Sequence, residues 1–309
     1  MQTLETETHA MLERQIDESR LAWQRSSFRS PADYTYRLSA ATLRDLAEER
    51  DDSDDLSADI QAFRSQFLTT GCGLGVIDGL SPERFSPARQ RAIHWRIARL
   101  LGTPIPQNIQ GDTLVEVCDR GKTMEQGGRY HQTRQGGSLH TDSPQWRAAP
   151  DYLGLLCLNQ ARRGGESKLV SAYSIHNRLR RHDPELLEVL YQPFHFDKRG
   201  EFRAPESPTT WVPIFTFDGR QLRFRYLRNY IDAAYQRLGL TLSRPQQQAL
   251  TALDEMLEDE TLTLTMDLKP GQIQYLDNHR VVHGRNAFQN YPEPAKKRLM
   301  VRVWISAHA

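Results

Sequence analysis

Cysteine is scarce in this chain of 309 residues: Cys72, Cys118 and Cys157 are all it has. Three scattered thiols make neither a disulfide framework nor a thiolate zinc site. Cys157, inside an apolar run, reads as a small core residue. An excess of one charge is also missing. Forty Lys and Arg stand against 39 Asp and Glu, a formal net charge of +1, which gives no overall attraction to nucleic acid or to an anionic membrane. No run of about eighteen apolar residues occurs, so no membrane-spanning helix is expected. The opening Met1-Gln2-Thr3-Leu4-Glu5 has no basic stretch ahead of an apolar one, so no signal peptide is expected either. No repeat or low-complexity linker divides the chain. What remains is the expectation of a cytoplasmic protein of one domain, residues 1–309, long enough to bury a substantial core. Its partner would be a small molecule, and assembly into a homo-oligomer stays open.

Residues 1–65 form a charged lead-in. Met11, Leu12, Ile16, Leu21, Ala22 and Trp23 fit a helix with a narrow apolar stripe. Ser39 stands where a helix N-cap belongs, and the acidic run 48–55 reads as a solvated loop rather than a calcium site. A helix over 58–69, a strand over 73–77 and a helix over 82–101 follow. From Leu114 the pattern changes to strands, at 114–118, 152–158 and 262–268. Between about 175 and 260 lies an insertion of helices and a hairpin. Asp183-Pro184 opens one helix, an Asp218-Gly219 turn sits inside 215–224, and 245–258 is amphipathic. The fold class is therefore mainly β with flanking helices, α+β.

The stretch that carries chemistry is Gly136-Gly137-Ser138-Leu139-His140-Thr141-Asp142-Ser143-Pro144. On an extended strand His140 and Asp142 point to one side, two thirds of a two-His, one-carboxylate set for non-haem iron. A histidine hydrogen-bonded to an aspartate near a turn is the plainer alternative. Near the C-terminus come Asn278-His279-Arg280-Val281-Val282-His283-Gly284-Arg285 and then Arg298-Leu299-Met300-Val301-Arg302-Val303-Trp304-Ile305. In the last segment Leu299, Val301, Val303 and Ile305 share one face, and Arg298, Met300, Arg302 and Trp304 the other. Two guanidiniums beside Met and Trp suit a pocket wall, where Arg can grip a carboxylate through two hydrogen bonds. A half-exposed edge strand would show the same pattern.

Together, His140-Thr141-Asp142, Gly164-Gly165-Glu166-Ser167, Asn278 through Arg285, and the Arg298/Arg302 strand resemble the taurine dioxygenase and clavaminate synthase-like Fe(II)/2-oxoglutarate dioxygenases, over about residues 70–309. The resemblance implies a double-stranded β-helix (jelly-roll) core. It implies Fe(II) held by His140, Asp142 and His283, with 2-oxoglutarate and O2 as co-substrates. Arg298 and Ser167 would bind the C5 carboxylate of 2-oxoglutarate, Arg302 its C1 carboxylate or an anionic substrate group, and Asn278 would orient the His283 loop. Ser167 stands where the family usually has Thr, and the gap from His283 to Arg298 exceeds that of the shortest members. His283 is preferred to His279 for the Gly-Arg and Phe288 that follow it. His131, His176, His182 and His195 read as surface or core histidines. Arg134 and Trp146, flanking ligand segments, are the substrate-side candidates, and Arg223, Arg225 and Arg228 hint at an acidic substrate such as an amino acid, sulfonate or carboxylate. A carboxylate at Asp142 argues for hydroxylation or desaturation, since related halogenases have a small residue there. The competing class is a zinc hydrolase or isomerase on a similar barrel.

Overall fold

A strand buried on both faces needs a layer on each side, and in the computed structural model, which describes residues 11–123, 129–203 and 205–307, such strands stand at the centre. Helices are α1 (Ala40–Ala47), α2 (Asp54–Phe63), α3 (Pro87–Leu101), α4 (Ala172–His182), α5 (Pro184–Leu190), α6 (Arg228–Leu238) and α7 (Arg244–Leu257). Strands begin with β1 (Thr35–Arg37), β2 (Leu74–Asp78), β3 (Thr103–Ile105), β4 (Leu114–Val117), β5 (Gly137–His140), β6 (Tyr152–Asn159), β7 (Arg163–Gly164) and β8 (Ser167–Ser171). They continue with β9 (Pro193–Asp197), β10 (Thr209–Pro213), β11 (Phe215–Phe217), β12 (Leu222–Phe224), β13 (Leu264–Met266), β14 (Ile273–Asp277), β15 (Val281–Arg285), β16 (Phe288–Gln289) and β17 (Leu299–Ser306).

A larger sheet runs β1-β2-β14-β6-β17-β3, with β4 also on β17, and a smaller one runs β13-β8-β15-β5. The two face each other as a jelly roll. Strand alternation sorts the side chains into three cores. Val301, Val303 and Ile305 point outward from β17 onto α2 and α3, joining Ile60, Phe63, Ile93 and Ile97. Met300 and Trp304 point between the sheets, with Leu169, Leu276 and Val281. Val170 and Val282 leave the smaller sheet on its other side, where Ile175, Leu250 and Leu253 of the helical layer cover them. Each fully buried aliphatic side chain contributes about 1.5–3 kcal/mol. β17 pairs with β6 on one side and with β3 and β4 on the other, so the edge-strand alternative fails.

Several expectations shift. The apolar stripe of the lead-in is no helix over the described residues 11–24 (residues 1–10 lie outside the description). It is an extended strap. Asn177 of α4 takes the N–H of Ile16 at 2.8 Å and donates to its carbonyl at 2.9 Å. Ser171 and Ser174 donate to the carbonyls of Leu21 and Trp23. Those side chains satisfy backbone groups that a helix would have paired internally. The helix expected from 82 starts at Pro87, where Ser86 accepts the N–H of Arg89 and caps it. Ser39 caps α1 as expected. The acidic run is only partly solvated. Asp54 and Asp55 sit in the first turn of α2, and Asp51 and Asp52 pair with Arg89 and Arg96 of α3. Among the described residues no helix is long and apolar enough to cross a membrane.

Candidate active site

β5 and β15 lie antiparallel with His140 directly opposite His283, so their rings stand 4.7 Å apart between centroids. Asp142 follows two residues past His140. Between them Thr141 turns the other way, bonding Tyr226 through both backbone and hydroxyl. His140 Nε2 lies 3.7 Å and His283 Nε2 3.8 Å from Asp142 Oδ1. The three ligand atoms fall within 4.8 Å of one another. Two nitrogens and one oxygen at that spacing fit a divalent transition metal with open positions. His279, the competitor, turns instead to Asp151 at 3.2 Å.

The orientation of His140 and of Asp142 has a visible cause, whereas the buried Nδ1 of His283 finds no partner among the described residues. His140 Nδ1 sits 2.8 Å from the Ser138 carbonyl. A carbonyl accepts only, so Nδ1 carries the proton and Nε2 keeps its lone pair free for a metal. Tyr130 stacks on the same ring at 5.1 Å. Arg285 holds the Tyr130 loop by donating to the carbonyls of Tyr130, Thr133 and Gln135. Asn278 accepts the N–H of Asp142 at 2.8 Å and donates to the carbonyls of Asp142 and Pro150. The Asp142 carboxylate takes hydrogen bonds from Trp304 Nε1 at 2.7 Å and Arg302 Nη1 at 3.1 Å. Burial pulls this carboxyl upward, but the Arg302 guanidinium beside it outweighs burial and holds the group well below the usual carboxylate range. Burial lowers the His283 imidazole, leaving it neutral at neutral pH.

Arg298, at the entry to β17, is 3% exposed, and its Nη1 finds no acceptor among the described residues. Burial pushes its guanidinium down to about 10, and its nearest aromatic support is the Phe288 ring at 5.1 Å. A buried, unpaired cationic nitrogen is costly unless a ligand anion meets it. Gly165 makes the room. It has φ +86, and a Cβ there would come within 3.1 Å of Arg298 Nε. Ser167 shares an inward face with Leu169, in register with Arg285 and His283 of β15. Convergent ligands plus an unpaired buried guanidinium fit iron with a dicarboxylic co-substrate.

Other expected residues are placed differently. Arg302 is engaged by Asp142 and by Gln107 at 2.7 Å. Arg134 is exposed and does not line the cavity beside the ligands. Trp146 backs that cavity, edge-on to Trp304 at 5.3 Å, with its Nε1 on Glu201. The hairpin-region arginines serve protein groups. Arg225 donates to the carbonyls of Pro144 and Trp146, Arg228 pairs with Asp232 and Asp254, and Arg223 lies 3.9 Å from Asp151. His131, read as ordinary, lines the cavity and is pushed down to about 4 by burial and then by Arg302 and Arg129. Tyr130, Gln107, Gln145, Arg199, Glu201 and Asn229 also line it, from loops and helix starts that carry no motif.

The family model that matches is "Taurine catabolism dioxygenase TauD, TfdA family", over residues 40–304. FR-33289 synthase of Streptomyces rubellomurinus is 30% identical over 307 residues, covering 93% of this chain and 89% of that protein. Gamma-butyrobetaine dioxygenase of Homo sapiens is 24% identical over 155 residues, which span 49% of this chain and 40% of that one. Among solved structures, an asparagine oxygenase in complex with Fe(II), 2S,3S-3-hydroxyasparagine and succinate superposes with a TM-score of 0.68 at 17% identity, covering 89% of this chain and 94% of that one. The non-haem iron oxygenase OrfP, in complex with Fe and alpha-ketoglutaric acid, superposes at 0.65 and 18% identity, over 88% and 94%. The family match takes in both sheets apart from β1 and the last two residues of β17, the helices α1 to α7 and every candidate ligand, and on that span the chain belongs to the TauD/TfdA family of iron- and 2-oxoglutarate-dependent dioxygenases.

Proposed function

We propose that this dioxygenase hydroxylates an unactivated C–H bond of a small anionic or amino-acid-like molecule. In this reading His140, Asp142 and His283 hold Fe(II), and Arg298 with Ser167 binds the far carboxylate of 2-oxoglutarate, within one catalytic domain. The observation that carries it is the coexistence of three ligand atoms within 4.8 Å and a buried guanidinium nitrogen without an acceptor. A hydrolase site would need the first and have no use for the second.

Bound iron would carry the oxidation, with O2 as the oxidant and 2-oxoglutarate giving up two electrons as it becomes succinate and carbon dioxide. The chain's part is to orient and to protect. The Ser138 carbonyl fixes the His140 tautomer, so only Nε2 can ligate. Trp304 and Arg302 keep Asp142 charged and aimed, because its carboxylate accepts from both. Asn278 ties the Asp142 backbone to the turn ahead of β15, so the two ligand-bearing segments stay in register. Tyr130 covers one face of His140 and limits water there. The asparagine oxygenase and gamma-butyrobetaine dioxygenase among the relatives support a substrate of amino-acid type.

The test is succinate formation by the iron-loaded protein under air and under argon. Oxygen-dependent succinate, with a product that has gained one oxygen atom, is expected. A product that has lost two hydrogens would make the enzyme a desaturase. Turnover under argon without 2-oxoglutarate would support the zinc hydrolase or isomerase instead.

A further inference from the structure

The cavity beside the ligands contains one cation built in at a cost. Lys198 through Glu201 forms a tight turn closed by the Glu201 N–H on the Lys198 carbonyl at 2.9 Å. Both central residues have positive φ, 54° at Arg199 and 81° at Gly200. That pattern favours Gly, Asn or Asp at the first central position, and a long side chain there is strained. The strain is held from below. Asp197, 1% exposed, accepts the Arg199 N–H at 2.5 Å and is pinned by Arg237 at 2.6 Å. Glu201 anchors the other end to Arg129 at 2.8 Å and to Trp146. So fixed, the Arg199 guanidinium stands 5.5 Å over the Tyr230 ring at the cavity wall. Arg302 and Arg129 are bound to Asp142 and Glu201, whereas Arg199 forms no ion pair among the described residues.

A second feature of the same cavity has the opposite polarity. Gln145, 4% exposed, and Asn229 both line it, and the side-chain oxygen of each is buried without a donor among the described residues. A buried acceptor left unpaired weakens the fold, so a native protein keeps two of them beside its reacting centre for a ligand that donates.

We propose that the substrate is a small molecule with both an anionic group, read by Arg199, and an N–H or O–H donor, read by Gln145 and Asn229. This rests on the dioxygenase reading above and adds to it the residues that select the substrate. It also moves the anion-reading role from Arg302 to a loop residue far from β17 in sequence.

The test uses the full chain with Fe(II), 2-oxoglutarate and O2, and a matched panel on short carbon chains. The panel holds amino and hydroxy carboxylates and sulfonates, the plain alkyl carboxylates and sulfonates, and the neutral amino and hydroxy amides. Succinate formation above the unstimulated rate is expected only with compounds that have both features. Arg199→Gln should raise KM for the best of them roughly 10- to 100-fold with little change in kcat or in KM for 2-oxoglutarate, and Arg199→Lys should recover part of it. Gln145→Met should weaken the preference for donor-bearing acids, Asn229 remaining, while raising the Tm of the substrate-free protein, since it removes an unpaired buried acceptor. Stimulation by neutral or donor-free compounds as strong as by the others, no stimulation by any member, an unchanged KM in Arg199→Gln, or a lowered Tm in Gln145→Met would each overturn the proposal. Failure of the dioxygenase reading itself shows separately, as absence of a 2-oxoglutarate-dependent visible band when Fe(II) is added anaerobically before any panel compound.

Discussion

Arg298, just before β17, and Trp304, within it, are both buried and do different work, one without a protein acceptor for its Nη1 and one already engaged. Because Arg298 Nη1 meets no protein acceptor, Arg298→Gln removes little that holds the metal-free protein together. It should raise KM for 2-oxoglutarate by roughly 30-fold or more, the effect of losing about 2–5 kcal/mol of a buried charged contact, with the urea midpoint of the metal-free protein undiminished. A lowered midpoint with unchanged KM would make Arg298 structural. Trp304 donates to Asp142 at 2.7 Å, so Trp304→Phe should weaken iron about 10- to 100-fold, read by competition with a chelator. Retained affinity would show that Arg302 alone suffices. The candidate ligands are legible in the sequence because each sits in a local motif, a His-x-Asp at a strand end and a His-Gly-Arg on its partner. Tyr130, Gln107 and Arg199 are not, since each reaches the cavity from a loop whose course depends on contacts with remote elements, such as Arg285 on the 130–135 carbonyls.

At the level of elements, local patterns served where a segment satisfies its own backbone or alternates against a flat partner. β17, the Asp218-Gly219 hairpin and α7 are of this kind: Asp218 Oδ1 accepts the N–H groups of Arg220 and Gln221 and closes the turn by itself. The lead-in failed for the complementary reason. Leu12, Ile16 and Trp23 have helical spacing, but the backbone between them is held by α4, and Asn177 bonds both polar groups of Ile16. Asn177→Ala should therefore cost about 1–3 kcal/mol in urea denaturation and expose residues 11–24 to proteolysis while α4 stays intact. A strap equally resistant in the variant would mean that Leu12 and Ile16 hold it through burial alone. The hairpin-region arginines show the converse error. Their density is real, but Arg223, Arg225 and Arg228 turn to protein carboxylates and carbonyls, which no count of charges reveals.

Across the whole molecule, two histidines outside the site contribute to how stability follows pH. His94, fully buried and bonded to Tyr275, is pushed down to about 3, and His176, bonded to Tyr191, to about 4, both chiefly by burial. The unfolded chain takes protons near the ordinary value of 6.5, and the folded one refuses them. Stability is thus complete above pH 6.5 and declines as pH falls from there toward 4, by up to about 3 kcal/mol for His176 alone. Urea midpoints between pH 7 and 4.5 should fall accordingly, and His176→Phe should flatten the slope. An unchanged slope would place a protonated imidazole in that core.

At the joining of β5 and β15 two imidazoles and a carboxylate from distant stretches of chain come within 4.8 Å of one another, and the proposed function has them hold one iron with Arg298 binding the co-substrate. Anaerobic titration of the metal-free protein with Fe(II) in the presence of 2-oxoglutarate tests this most directly. Saturation at one iron per chain is predicted, with a weak visible charge-transfer band that needs 2-oxoglutarate and disappears in His283→Ala. Iron binding that gives no such band, or a band that survives in His283→Ala, would contradict it.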